Sequence, residues 1–167
     1  MICELKNPNT VDYLNLKEYI LSTKFQWAWD DATTHGENDF PFLSHCVVRR
    51  PMETGYLYPV PESSCSSKFN YVIGQIIDCN NLNVNCILRI NCNLTFPCGE
   101  GKKTPIHVDH PFPHKNLLIY LNDTDGDTVC GNDAFSPKED SIILFEGEHY
   151  HYLPKHHKRV VIVVTFV

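Results

Sequence analysis

At 167 residues the chain has the length of one domain and enough sequence to bury a sizeable core. Its 43% hydrophobic residues exclude an intrinsically disordered chain, and a net charge of −6 argues against a large nucleic-acid interface, which needs a basic face. No apolar run approaches the roughly twenty residues of a membrane span, and Met1-Ile-Cys-Glu-Leu-Lys-Asn-Pro8 holds no apolar signal core, so the expected location is cytoplasmic, with no membrane partner.

The first predicted element is an amphipathic helix over residues 11–24, where Val11, Leu14, Leu16, Tyr19, Ile20 and Leu21 recur at roughly helical spacing. Asn9 or Thr10 caps its start. The aromatic Phe25-Gln-Trp-Ala-Trp29 is expected to pack the end of that helix onto a sheet. Residues 30–41 are polar and loop-like, and Phe42–Arg49 reads as a strand. Residues 51–67, with Pro51, Pro59, Pro61 and a serine-rich run, form a long connection. Phe69–Ile77 is a second helix, although Tyr71-Val-Ile73 also suits a strand. Asn80–Asn85 turns the chain into the strongest β signal of the first half, Cys86–Phe96, which alternates apolar and polar residues.

Further strands are predicted near 105–109, at Asn116–Asn122, at Ser141–Phe145, in the short His149–Tyr152 piece and at Arg159–Val167. Asp123-Thr-Asp-Gly-Asp127 reads as a turn. It has the acidic rhythm of a calcium loop but lacks a glutamate at the twelfth position. Many short strands preceded by helices give an α+β, mainly β chain: two sheets in a jelly roll with supporting amino-terminal helices. The expected organisation is one domain over 1–167, with a catalytic core at about 86–167 and support from 1–85.

Eight cysteines stand at 3, 46, 65, 79, 86, 92, 98 and 130. No pair has the spacing of a zinc knuckle, which speaks against a structural zinc domain, and compartment logic makes them reduced thiols. His35, Asp39 and His45 give no coherent metal spacing.

The chemistry concentrates in Thr104-Pro-Ile-His-Val-Asp109. On an extended strand His107 and Asp109 face the same side, so one imidazole and one carboxylate can converge on one ion. A further imidazole comes from Leu144-Phe-Glu-Gly-Glu-His-Tyr-His151. Two histidines and a carboxylate with open positions are the ligand set of non-haem Fe(II) oxygenases. Taken alone, a His-x-Asp pair is equally an ordinary surface turn.

The ordered series Arg89-Ile-Asn-Cys-Asn-Leu94, His107-Val-Asp109, Leu117–Asn122, Gly126-Asp-Thr128, Pro137–Phe145, Tyr150-His151 and Arg159-Val-Val-Ile162 is more specific. It resembles the 2-oxoglutarate- and Fe(II)-dependent oxygenases on their prolyl-hydroxylase-like side, in the compact form of viral and phage members. The resemblance is strong over about 86–167 and weaker before. It implies a double-stranded β-helix holding Fe(II) through His107, Asp109 and a distal histidine.

The motif's local register favours His151 as the distal ligand. His149 shares its strand parity, lies at a common distance from Arg159 and is the alternative. The resemblance further implies that Arg159 binds the distal carboxylate of 2-oxoglutarate, assisted by Tyr120, with Asn93 also contacting the co-substrate. The implied reaction uses O2 and hydroxylates a peptide or small-molecule substrate, prolyl or another protein side chain by analogy, releasing succinate and CO2. A cupin-like metal protein, an isomerase or a non-catalytic binder, is the rival reading. Arg159 separates the two, because a cupin needs no cation for an oxoacid.

Overall fold

The computed structural model describes residues 1–32, 40–51, 55, 57–99 and 101–167. His35 and Asp39 therefore lie outside the described residues. In chain order the elements are β1 (Cys3–Leu5), α1 (Val11–Leu21), β2 (Ala28–Asp30), β3 (Phe42–Arg49), β4 (Val60–Pro61), α2 (Ser66–Cys79), β5 (Ile87–Thr95), β6 (Lys115–Tyr120), β7 (Thr128–Cys130), β8 (Asp133–Phe135), β9 (Ile142–Glu146), β10 (His149–His151) and β11 (Arg159–Phe166). Two sheets result. The larger runs β1-β9-β6-β11-β5-β3-β2, with β4 on β3, and the smaller runs β10-β7-β8. The central pairs β9-β6, β6-β11 and β11-β5 are all antiparallel. This is the double-stranded β-helix, or jelly roll, that the sequence leads one to expect.

The two faces of the large sheet carry different cores, because strand side chains alternate. Ile90, Cys92 and Leu94 of β5 and Val160, Ile162 and Val164 of β11 point outward into a cluster with the helices. Tyr13, Leu16 and Ile20 of α1 and Phe69, Val72, Ile73 and Ile76 of α2 cover them. The opposite face packs Leu118, Tyr120, Ile143, Phe145, Val161 and Val163 inside the barrel with Cys130.

Thr10 caps α1, its hydroxyl accepting from the Tyr13 N–H at 3.2 Å. The buried stripe is narrower than the sequence suggests. Val11 and Leu14 are exposed, and Tyr13 is buried in their place. Its aliphatic-aromatic body packs inward while its hydroxyl donates to Asp140 Oδ1 at 2.6 Å. The expectation for the aromatic segment holds: Phe25 joins the outer core and meets Tyr19 edge-on, and Ala28–Asp30 pairs with β3. β1, β7 and β8 are three-residue strands without a signal in the sequence; β1 and β7 are defined by partners farther along the chain, β9 and β10, and β8 by its hairpin with β7. All eight cysteines are free thiols. Among the described residues no helix is long and apolar enough to cross a membrane.

Ile90, fully buried between the sheet and the helices, tests this core. In urea unfolding, Ile90→Ala is expected to lose about 2–5 kcal/mol. Exposed Ile106→Ala should stay within about 0.5 kcal/mol of the parent.

Candidate metal centre

The segment between β5 and β6 carries His107 and Asp109, and it is not the regular strand predicted near 105–109. It touches the small sheet through two isolated bridges, Lys103 with Tyr152 and His107 with His149. Pro105, Pro111 and Pro113 lack the N–H groups a ladder needs, so pairing stays local. The bridge at His107 is reciprocal: its N–H donates to the His149 carbonyl at 3.0 Å, and the His149 N–H donates to the His107 carbonyl at 3.0 Å. Thr104 clamps the next turn of the contact, its N–H donating to the His151 carbonyl at 2.8 Å and its hydroxyl accepting from the His151 N–H at 3.0 Å.

This backbone arrangement gathers three imidazoles, His107, His149 and His151, whose ligand atoms lie within 4.8 Å of one another. Their hydrogen bonds differ. His107 Nδ1 donates to the Pro105 carbonyl at 2.9 Å, and His149 Nδ1 donates to the Gly147 carbonyl at 3.2 Å. A carbonyl can only accept, so both rings carry their proton on Nδ1 and leave the Nε2 lone pair for a cation. His151 is the reverse. Its Nδ1 lies 3.2 Å from an N–H of Arg159, which can only donate, and 2.9 Å from the Thr128 hydroxyl. Nδ1 of His151 is thus an acceptor, and the neutral ring carries its proton on Nε2.

Asp109 Oδ2 lies 3.6 Å from His149 Nε2, and Asp109 Oδ1 lies 3.3 Å from an Arg89 guanidinium nitrogen. Arg50 donates to the main-chain carbonyl of Asp109 at 2.7 Å. Burial alone would raise the Asp109 pKa, but Arg89, His149, His107 and Arg50 together hold it below the usual carboxylate range. Burial also keeps His149 neutral, lowering it to about 4 against the opposing pull of Asp109. His151 is lowered by burial, with Arg159, His149 and His107 adding to the effect. Two imidazoles that turn Nδ1 to a carbonyl and Nε2 inward, beside an ionised carboxylate, suit a divalent transition metal.

Arg159 enters the barrel at the start of β11 and is almost wholly buried. Its guanidinium carbon sits 5.4 Å from the centroid of the Tyr120 ring, within cation–π range. Its N–H groups reach His151 Nδ1 and, at 3.4 Å, Thr128 Oγ1, while its Nε is buried without a hydrogen-bond partner. Among the described residues no carboxylate forms an ion pair with it. Burial raises the Tyr120 pKa, and the hydroxyl engages Thr128 Oγ1 at 2.6 Å. Asn93 faces the same cavity, hydrogen-bonded by the Asn91 amide.

That cavity, about 600 Å³, lies over one face of the large sheet, where Leu118 and Val163 stand beside the inward row Arg89, Asn91, Asn93 and Thr95 of β5. The sequence-predicted residues His107, Asp109, His149, His151, Asn93 and Arg159 all line it. Tyr120 stands behind Arg159. Sequence reasoning missed the roles of Arg89 and Thr128. The signal available for Arg89 was a charge on the polar parity of β5. Thr128 had none, because its partners come from β6, β10 and β11. Gly126 is fixed by close approach, since an added Cβ would meet the Tyr152 carbonyl oxygen at 2.8 Å and Arg159 Cδ at 3.4 Å.

The three histidines gather where the segment between β5 and β6 meets the small sheet of a double-stranded β-helix, in a cluster that could hold a metal ion. No protein-family profile and no curated protein matches the sequence. Solved structures do match, and they place the chain on the fold of the 2OG-Fe(II) oxygenases. An oxidoreductase of that family from Burkholderia pseudomallei superposes with a TM-score of 0.63 at 13% identity, over 99% of this chain and 85% of that one. A Pseudomonas putida prolyl-4-hydroxylase gives 0.56 at 12% identity, over 99% and 91%. The non-haem alpha ketoglutarate dependent epimerase SnoN from nogalamycin biosynthesis gives 0.57 at 10% identity, over 99% and 77%. At such identities the likeness is one of fold, and the reaction types within it already differ.

Two outcomes are expected. In the metal-free protein His149 has a lowered pKa when folded and an ordinary one when unfolded. Its contribution to stability is therefore complete above about pH 6.5 and lost as pH falls toward about 4, an effect on the order of 3 kcal/mol. Chemical denaturation across this window should show a shallower slope for His149→Leu, by up to one proton. Gly126→Ala should cost about 1–3 kcal/mol in the same assay, because the opposing atom is backbone and cannot rotate away.

Proposed function

We propose that the protein is an Fe(II)- and 2-oxoglutarate-dependent oxygenase that hydroxylates its primary substrate and releases succinate and CO2. The observation that carries this reading is Arg159, a buried guanidinium inside the barrel with no carboxylate among the described residues to neutralise it. A buried cation is costly unless paired, and the planar fork of arginine suits a carboxylate. A cupin-like metal protein would have no use for such a charge.

His107, Asp109 and His149 are the residues that would hold the metal. The choice of His149 over His151 rests on the tautomers: His149 offers a lone pair at Nε2, whereas His151 accepts from Arg159 and keeps its proton there. With iron and 2-oxoglutarate bound, the chemistry supplied is oxidation of a C–H bond coupled to decarboxylation of the oxoacid.

The chain does the rest. Pro105 and Gly147 carbonyls fix the two imidazole planes, and Arg89 orients Asp109 through its second oxygen. Arg159 pairs with the far carboxylate of 2-oxoglutarate, held in place by the Tyr120 face and by Thr128. His151, between Arg159 and the metal residues, sets the orientation of that guanidinium. Leu118 and Val163 keep this part of the cavity dry. O2 and 2-oxoglutarate are the implied co-substrates, and a peptide or small molecule is the primary one.

Calorimetric titration with Mn(II) should give one site per chain in the parent. His149→Ala and Asp109→Ala should abolish it, and His151→Ala should retain it. Retention in His149→Ala with loss in His151→Ala would move the ligand to His151. Arg159→Ala should leave Mn(II) affinity intact but raise the 2-oxoglutarate requirement by two to three decades, about 3–5 kcal/mol for breaking one buried pair. Arg159→Lys should recover part of it, and an unchanged requirement in the alanine variant would revive the cupin reading.

A further inference from the structure

Besides Arg159 the cavity is lined by Arg49, Arg50 and Arg89, and the role given above to Arg89 leaves most of its guanidinium unemployed. Arg89 lies on β5, where Arg89, Asn91, Asn93 and Thr95 all face inward. Cross-strand registry pairs Thr95 with Arg159 and Arg89 with Thr165. The two arginines therefore stand at opposite ends of this row, roughly 20 Å apart along the strand at about 3.3 Å per residue. The proposed metal residues lie between them: His151 separates them from Arg159 at one end, and Asp109 touches Arg89 at the other.

Arg89 is incompletely neutralised. Its one contact with a carboxylate is the 3.3 Å approach to Asp109 Oδ1, and that carboxylate also faces His149 through its other oxygen. Among the described residues its other N–H groups meet no hydrogen-bond partner. They are not among the sealed, unsatisfied polar atoms of the interior, so they open onto the cavity. The charge of Arg50, whose guanidinium donates to the Asp109 main chain, adds to the positive field at this end. The lining sets Arg49, Arg50, Arg89 and Arg159 against the carboxylates of Asp30 and Asp109, and in a chain of net charge −6 this local excess of positive charge selects for an anion.

We infer that the primary substrate presents a carboxylate to Arg89, across the metal residues from the 2-oxoglutarate carboxylate held by Arg159. This inference rests on the oxygenase reading above and deepens it. Two anionic ends are then received by two guanidinia, and the substrate's reactive carbon is anchored on the Asp109 side of the site. The fork of Arg89 can give a carboxylate two parallel charge-assisted bonds while one nitrogen stays with Asp109. The carboxylate can belong to a free small acid or to an acidic side chain of a peptide, and the test separates these sources.

The test uses the full chain loaded with Mn(II) and saturated with 2-oxoglutarate, so that Arg159 is occupied. Carboxyl-labelled 13C acids from propionate to hexanoate, each beside its primary amide, are titrated in, and the Mn(II)-induced broadening of the labelled carbon is measured. An acetylated, amidated Gly-Glu-Gly peptide with labelled glutamate forms a parallel arm. Acids, but not amides, should broaden, and Arg89→Gln should weaken this binding roughly ten- to hundredfold, with Arg89→Lys recovering part.

Broadening by the peptide alone would name an acidic side chain as the source, and broadening by the free acids would name a small acid. Equal broadening of acids and amides, none in either, or an unchanged response in Arg89→Gln that still holds Mn(II) would overturn the inference. If Arg89→Gln loses Mn(II), the acid-against-amide comparison in the parent still decides. Failure of the parent to hold Mn(II), seen before any acid is added, would count instead against the oxygenase reading.

Discussion

The site depends on one backbone contact, the reciprocal pair of hydrogen bonds between His107 and His149. A residue pair that exchanges both N–H···O bonds in an antiparallel bridge brings its Cα atoms to about 5.5 Å and directs both side chains to the same face. Two imidazoles are thereby fixed side by side, their ring centroids 4.3 Å apart, without any regular strand on the His107 side. The proline-rich run that prevents a strand also frees Asp109 to turn back toward Arg89 and His149. The candidate metal residues are assembled where a loop touches a sheet, and the rigidity comes from the sheet.

Charge is distributed around that contact in a way the fold alone does not require. The helices and the outer face of the large sheet account for the greater core, so the barrel interior is free to carry polar groups on β5 while β6 and β11 supply apolar ones. Buried polar groups must be satisfied or they destabilise. Thr128 meets this demand at one end, linking Tyr120, His151 and Arg159 in a single network. At the other end Asp109 is shared between Arg89 and the histidines. Among the described residues Arg159 meets no carboxylate and Arg89 meets only Asp109; both guanidinia face the cavity, as does the carboxylate of Asp30.

Much of this was legible in the sequence because it rests on local pattern. The alternation in Ile87–Thr95, the apolar run in Arg159–Phe166 and the helix-spaced residues of α1 each mark an element without reference to the rest of the chain, whereas within α2 Tyr71-Val-Ile73 suits a strand equally until the packing is known. The jelly-roll architecture follows from their order. Other features depend on distant partners. β7 and β8 exist because β10 pairs with β7, and Tyr13 displaces Val11 from the core because Asp140 receives its hydroxyl. The two candidate distal histidines have the same strand parity, so no spacing rule divides them. What distinguishes them is a hydrogen bond to Gly147 in one case and to Arg159 and Thr128 in the other. Arg89 was visible only as one charged residue in an alternating strand, and its meaning came from the carboxylate beside it.

The central claim is that the Nε2 atoms of His107 and His149, with the carboxylate of Asp109, form one metal site. Anomalous X-ray diffraction from crystals of the protein soaked in Mn(II) measures this directly. The account predicts a single strong peak inside the barrel, coordinated by His107 Nε2, Asp109 and His149 Nε2, with His151 still turned to Arg159. A peak bound through His151 in place of His149, or none at this position while Mn(II) occupies another, would contradict it.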